Sequence, residues 1–204
     1  PHLLREQLGW AYQKLLYRSY SDATFRAPAV LPQRDRYLGS IGPIVRAEVG
    51  DTVVVVFKNN TRVPLDIEPT GLAAAIAAPV PSGAVHTYRW LVPERAGPGP
   101  SDLTSVLWPY SSAIRGIGDQ AAGLFGPIIV TKRGSARDDG TPVDVDRELV
   151  VAFRETDESL SELFAENVSS PMTNPRRLKK TSPAVSNDNL FVSLNGFSYG
   201  NMPM

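Results

Sequence analysis

Short apolar segments with a period of two, cut at close intervals by glycine and proline, constrain this chain more than any other feature. In Ile44–Val49, residues Val45, Ala47 and Val49 fall on one face and Arg46 and Glu48 on the other, the pattern of a half-buried strand. Gly50-Asp51 makes a turn, and the β-branched run Thr52–Phe57 predicts a strand buried on both faces. Lys58-Asn59-Asn60 breaks that run. Val85–Val92 is a further strand, with Tyr88 and Trp90 on one face. Ser105–Ser112 and Leu124–Thr131 follow, separated by a glycine-rich loop, and Val143–Thr156 predicts one long strand. The 18 prolines and 16 glycines supply the turns that so many short strands need. Strands at this spacing point to an all-β sandwich or barrel.

One short helix is predicted after the long strand. Leu160, Leu163, Phe164 and Val168 recur at helical spacing, and Thr156 or Asp157 is placed to cap it. Residues 169–188 are rich in Ser, Pro, Asn and basic side chains and read as an exposed linker. The cluster Arg176-Arg177-Lys179-Lys180 within it reads as a solvated or protease-sensitive loop rather than a polyanion site. Phe191–Leu194 begins a new strand, and no internal repeat is visible.

Lys+Arg and Asp+Glu both count 21, so the chain lacks the basic excess of a nucleic-acid binder. No apolar run approaches the roughly 18 residues of a membrane span. The chain begins at Pro1 without a signal-peptide pattern, and reads as a processed product or an excerpt of something longer. It contains 0 Cys, which excludes disulfides, thiolate metal sites and cysteine nucleophiles. Two Asn-x-Ser/Thr triplets, at Asn59 and Asn167, are candidate glycosylation sites, expected on exposed loops, and favour the secretory pathway.

Four blocks resemble the ceruloplasmin family of multicopper ferroxidases, which includes hephaestin and the A domains of coagulation factors V and VIII. They are Tyr17–Phe25, Tyr37–Thr52, Val92–Pro100 and Gly123–Val130, in the family's order and spacing over most of residues 13–156. Asn195–Asn201 is similar to the motif that opens the next domain in that family. The resemblance implies a cupredoxin-like Greek-key β-sandwich with one short helix. It divides the chain into a lead-in (1–12), a cupredoxin-like domain (13–168), the linker (169–188) and the start of a following cupredoxin-like domain (189–204).

The same resemblance locates departures. A type 1 copper site needs two imidazoles and a thiolate. A trinuclear cluster needs His-x-His pairs, whereas this chain has 2 His, His2 and His86. The family's His-Gly-Val/Leu block is Thr70-Gly71-Leu72 here, and its His-Ser-His is Ser111-Ser112-Ala113. The family's disulfide positions match Ser105 and Thr131. The loop that binds calcium in some relatives is Leu72–Ala78, without an oxygen-bearing side chain. No catalytic, cofactor-binding or metal-binding residue is therefore assigned, and no cofactor is expected in this segment.

Other groups take structural readings. His86 is expected to be an exposed or hydrogen-bonded strand residue, and His2 to lie in a frayed terminus. Tyr88, Trp90, Trp108 and Tyr110 read as core and inter-sheet packing rather than a sugar platform. Asp157, Glu158, Glu162 and Glu166 read as a solvated helix face rather than an iron-guiding patch. Two functions stay open: a copper-free scaffold domain of a larger extracellular or cell-surface multicopper oxidase, packed against neighbouring cupredoxin-like domains, or a metal-free adhesion or cofactor protein acting by protein–protein binding. A free-standing copper oxidase is excluded by the ligand count.

Overall fold

The fold is given by a computed structural model, which describes residues 13–169 and 190–198. The lead-in 1–12 with His2, the linker after Ser169 with its basic cluster, and the ends of the 189–204 tail lie outside the described residues. Strands dominate: β1 (Val45–Glu48), β2 (Thr52–Lys58), β3 (Glu68–Pro69), β4 (Ala73–Ala74), β5 (Val85–Leu91), β6 (Ser105–Ser111), β7 (Phe125–Thr131), β8 (Phe153–Asp157) and β9 (Leu190–Leu194). One sheet has the order β1-β7-β6-β3, with β1 and β7 parallel and the rest antiparallel. A second, antiparallel sheet has the order β2-β5-β4. The chain changes sheets between β1 and β2 and again between β3 and β4. Gly50 (φ 92°) and Gly71 (φ 84°) make those crossings in the left-handed region that other residues avoid. This is the all-β, cupredoxin-like Greek-key sandwich that the strand pattern and the resemblance imply.

The core lies between the two sheets. Tyr88 and Trp90 of β5, as their alternation predicts, meet Tyr110 of β6 and Ile128 and Val130 of β7. Trp90 and Ile128 are wholly buried. The Tyr110 ring sits 6.5 Å from Trp90 and 5.4 Å from Tyr17, centroid to centroid. Burying aromatic side chains of this size contributes roughly 4–6 kcal/mol each as an upper bound. A second apolar cluster covers the outer side of the first sheet, where Ile129 packs with Leu38, Ile41 and Val150.

The strand buried on both faces is therefore β7 and not β2. β7 is central in its sheet and has an apolar layer on each side, whereas β2 is an edge strand whose Val54 and Val56 remain 49% and 43% exposed. The long strand predicted over Val143–Thr156 is reduced to β8. Its earlier backbone takes side-chain partners instead of a ladder: Val150 N–H donates to the Tyr37 hydroxyl (3.0 Å) and Ala152 N–H to Asn195 Oδ1 (2.8 Å).

The helix expected after β8 is present as α2 (Phe164–Ser169), preceded by a 3-10 turn at Glu158–Leu160 whose Ser159 N–H is capped by Asp157. A further six-residue helix, α1 (Ile117–Ala122), occupies the glycine-rich loop and ends at Gly123 in the left-handed conformation. The tail strand β9 pairs antiparallel with β8 in a third, two-stranded sheet. Asn195, fully buried, ties that hairpin to the body, its Nδ2 donating to the Tyr37 and Val150 carbonyls (3.0 and 3.1 Å).

The two sequons are not on exposed loops, which corrects that expectation for Asn59 and Asn167. Asn59 is 1% exposed, and its Nδ2 spends both hydrogens on the Val63 and Val80 carbonyls (2.7 and 2.8 Å). Its Oδ1 accepts from Thr61 N–H and Oγ1. Asn167 is 6% exposed and clamps the Gln13 backbone, Oδ1 accepting from Gln13 N–H (2.7 Å) and Nδ2 donating to its carbonyl (3.1 Å). Each amide acts as a staple between separate stretches of backbone.

Two predictions follow from this packing. Asn59→Ala removes the amide's bonds to the Val63 and Val80 carbonyls and the acceptor of Thr61 N–H, and lowers stability in urea unfolding by roughly 2 kcal/mol, while Asn60→Ala at the exposed neighbour stays within about 0.5 kcal/mol. Alkaline unfolding is the second. Burial raises the Tyr17, Tyr88 and Tyr110 phenols above their ordinary value near 10.0, Tyr88 to about 12. The folded state thus holds protons that the unfolded state loses. Stability from these groups is complete below pH 10 and falls as pH rises toward about 12 and beyond. Tyrosinate absorbance and circular dichroism followed together should show these rings ionising only as the fold is lost.

Candidate functional site

The fold gathers the positions where the family motifs carry metal ligands. β3 pairs with β6, placing Glu68 opposite Ser111 and Pro69 opposite Tyr110. The pairing is continued by Thr70, whose N–H donates to the Pro109 carbonyl (2.8 Å). Thr70 and Ser111 thus lie near each other across the β3–β6 pair, while Gly71-Leu72 runs on toward Trp108 and Ser112-Ala113 runs the other way, toward Asp66.

What occupies this place is a buried polar network. Ser112 is fully buried and its hydroxyl donates to Asp119 Oδ2 (2.6 Å). Asp119, also fully buried, accepts from the Arg115 N–H (3.0 Å) and pairs with the Arg115 guanidinium (3.1 Å). Arg115 in turn reaches Glu162 (3.1 Å), just before α2. The Ala113 N–H donates to Asp66 Oδ1 (2.8 Å). Burial raises the Glu68 carboxyl, and the neighbouring Asp66 charge raises it further. Asp119 and Arg115 had no motif to mark them, and their pairing depends on α1, too short to show a helical period.

These residues do not fit the copper that the family motifs imply. Hydroxyls and a methyl stand where imidazoles would be needed, and the chain has no thiolate. His86 lies exposed on β5 with its ring 4.6 Å from that of Tyr88. Among the described residues no three His, Cys, Asp or Glu side chains form a group able to hold a metal ion. Ser105 and Thr131, at the family's disulfide positions, are direct partners in the β6–β7 ladder. The Leu72–Ala78 loop contributes β4 to the second sheet, where Ala73 and Ala74 pair with Leu91 and Trp90.

The aromatic set is packing, as expected. Tyr88, Trp90 and Tyr110 are buried, and Trp108 lies half-buried with its indole N–H donating to the Ala96 carbonyl (2.8 Å). Of the acidic set, Glu162 and Glu166 are exposed as expected, whereas Glu158 is not part of a solvated face. Glu158 is 4% exposed and pairs with Lys14, which also donates to the Ala121 carbonyl (2.6 Å). Burial pushes the Glu158 carboxyl up, with Lys14 opposing it, and pushes the Lys14 ammonium down, with Glu158 opposing it. Glu166 pairs with Arg62 on the surface. Beside Glu158, the Arg154 guanidinium stacks 3.9 Å from the Phe125 ring centroid.

No family model matches the chain. It is similar to hephaestin of Homo sapiens, 36% identical over 199 residues, covering 96% of this chain and 17% of that protein. Ferroxidase HEPHL1 of Homo sapiens is 35% identical over 211 residues, covering 97% of this chain and 18% of that protein. Ceruloplasmin of Homo sapiens is 34% identical over 218 residues, covering 97% of this chain and 20% of that protein. A solved blue copper oxidase from Nitrosomonas europaea overlaps at a TM-score of 0.43 and 16% identity, covering 59% of this chain and 38% of that one, a level that carries no argument. The chain spans about a fifth of the length of the curated relatives it matches. Identity of this order over nearly every residue, with the four blocks in register on a Greek-key sandwich, places the chain, as one segment's length, in the ceruloplasmin–hephaestin family of multicopper ferroxidases.

Proposed function

We propose that this chain is a scaffold domain of a larger extracellular protein of the ferroxidase type, holding no copper itself and packing against neighbouring cupredoxin-like domains. The observation that carries it is the outer face of the β8–β9 sheet. Phe153 is 82% exposed and Val192 72%, with Leu190 on the same face and Val151 and Leu149 exposed just before β8, and Glu155 and Asp157 interrupt this face opposite Val192 and Leu190. A two-stranded sheet is marginally stable alone, and an apolar face of this kind marks a surface made for a partner. The length of the relatives supports a neighbouring domain as that partner, because each is several times as long as this chain. Copper-dependent oxidation then belongs to other domains, and this one contributes position. The Ser112–Asp119–Arg115–Glu162 network supports that role, since it links β6, α1 and the approach to α2 into one rigid end of the sandwich.

The test is made in the full-length polypeptide. Phe153→Asp combined with Val192→Asp places two charges in the proposed interface at a cost of several kcal/mol. Copper content and oxidase rate of the whole protein should both fall. The same double variant in the isolated chain should keep its circular dichroism, because both positions face solvent there. Full copper content and an unchanged rate in the double variant would contradict the scaffold role.

A further inference from the structure

The sandwich is open along one flank. β1 and β2 are edge strands of opposite sheets, and among the described residues no strand bridges them. Residues from Leu16 to Phe25 pass over the gap and roof a cavity of about 440 Å³, within the range of roughly 300–1,000 Å³ typical of small-molecule sites. Its interior is lined by Val45, Val55, Ile67 and Leu124 with the rings of Tyr17 and Tyr110. Both phenol groups are already committed, Tyr17 to the Asp66 carbonyl (2.6 Å) and Tyr110 to the Pro43 carbonyl (2.7 Å). The interior therefore welcomes an apolar body and penalises a polar one.

The rim has the opposite character. Arg18 and Lys58 line it, and neither has an ion-pair partner among the described residues. The Lys58 ammonium lies 5.7 Å from the Phe25 ring centroid, held at the cavity's edge. The Arg18 charge lowers the Tyr110 phenol against the burial that raises it, which puts Arg18 electrically in contact with the cavity. Asp22 also lines the rim, but its Oδ1 is taken by the Thr24 N–H (2.8 Å) and hydroxyl (2.6 Å). An apolar interior beneath a rim with excess positive charge selects a ligand with an apolar body and one anionic end.

We propose that this inter-sheet cavity binds a small amphipathic carboxylate, its hydrocarbon or ring between the sheets and its carboxylate against Lys58 and Arg18. The site is independent of any role in an oxidase. Isothermal titration of the full chain with dodecanoate, dodecanol and dodecylammonium tests it. Dodecanoate should bind one to one and more tightly than dodecanol, with dodecylammonium weakest. The pair Arg18→Gln and Lys58→Gln should weaken dodecanoate about tenfold and leave dodecanol unchanged. Val55→Phe, which fills the cavity, should abolish binding of both. Absence of saturable heat with dodecanoate, uptake of many equivalents, or equal affinity for all three compounds would overturn the assignment. The ligand comparison decides the matter on the native chain even if Val55→Phe does not fold.

Discussion

The seat of the Tyr110 ring is the contact on which the rest of the sandwich depends. Tyr110 projects from β6 between the sheets, and its ring lies against the backbone of Gly126 in β7 and Gly42 before β1. A Cβ at either glycine would fall inside the ring or its hydroxyl. The hydroxyl donates to the Pro43 carbonyl (2.7 Å), so one side chain fixes β6, β7 and the entry to β1. Around it Tyr17 and Trp90 complete an aromatic cluster that joins the two sheets. Gly42 and Gly126 give this ring its clearance, and the Pro43 carbonyl is its acceptor.

A core of this kind explains how the fold stands without the covalent ties of its relatives. Ser105 and Thr131 face each other across a ladder with no sulfur to link them, and Thr131 is nevertheless 1% exposed. Between Ser111 and Ala113, the two positions where the family motif sets imidazoles, Ser112 reaches Asp119 (2.6 Å), which pairs with Arg115 (3.1 Å). Buried polar groups that are fully paired rigidify a fold, whereas half of such a network would weaken it.

Strands were legible in the sequence where one face is buried and the period is two. β1, β5 and β6 lie where their alternation placed them, because burial of one face and exposure of the other writes that pattern directly. β2 and β7 show the limit of the signal. Both are continuous apolar runs, and only their place in the layers decides which is covered twice. β3 and β4 are two residues each, too short for any period. Asn59 and Glu158 were misjudged for a shared reason. Local sequence makes an amide or a carboxylate look solvated, while the partners that bury it, Val80 for one and Lys14 for the other, come from distant positions. The approach of Thr70 to Ser111 was not legible, since nothing local to β3 marks its partner.

If side-chain packing and paired polar groups hold this cupredoxin-like fold by themselves, copper adds nothing to its stability. Urea unfolding of the isolated chain, measured at fixed pH with and without Cu²⁺, addresses it directly. A native-state site of micromolar affinity would add about 2.7 kcal/mol of stability at a hundredfold excess over its dissociation constant. The account predicts the same unfolding midpoint in copper and in chelator. A saturable rise of the midpoint with copper would contradict it.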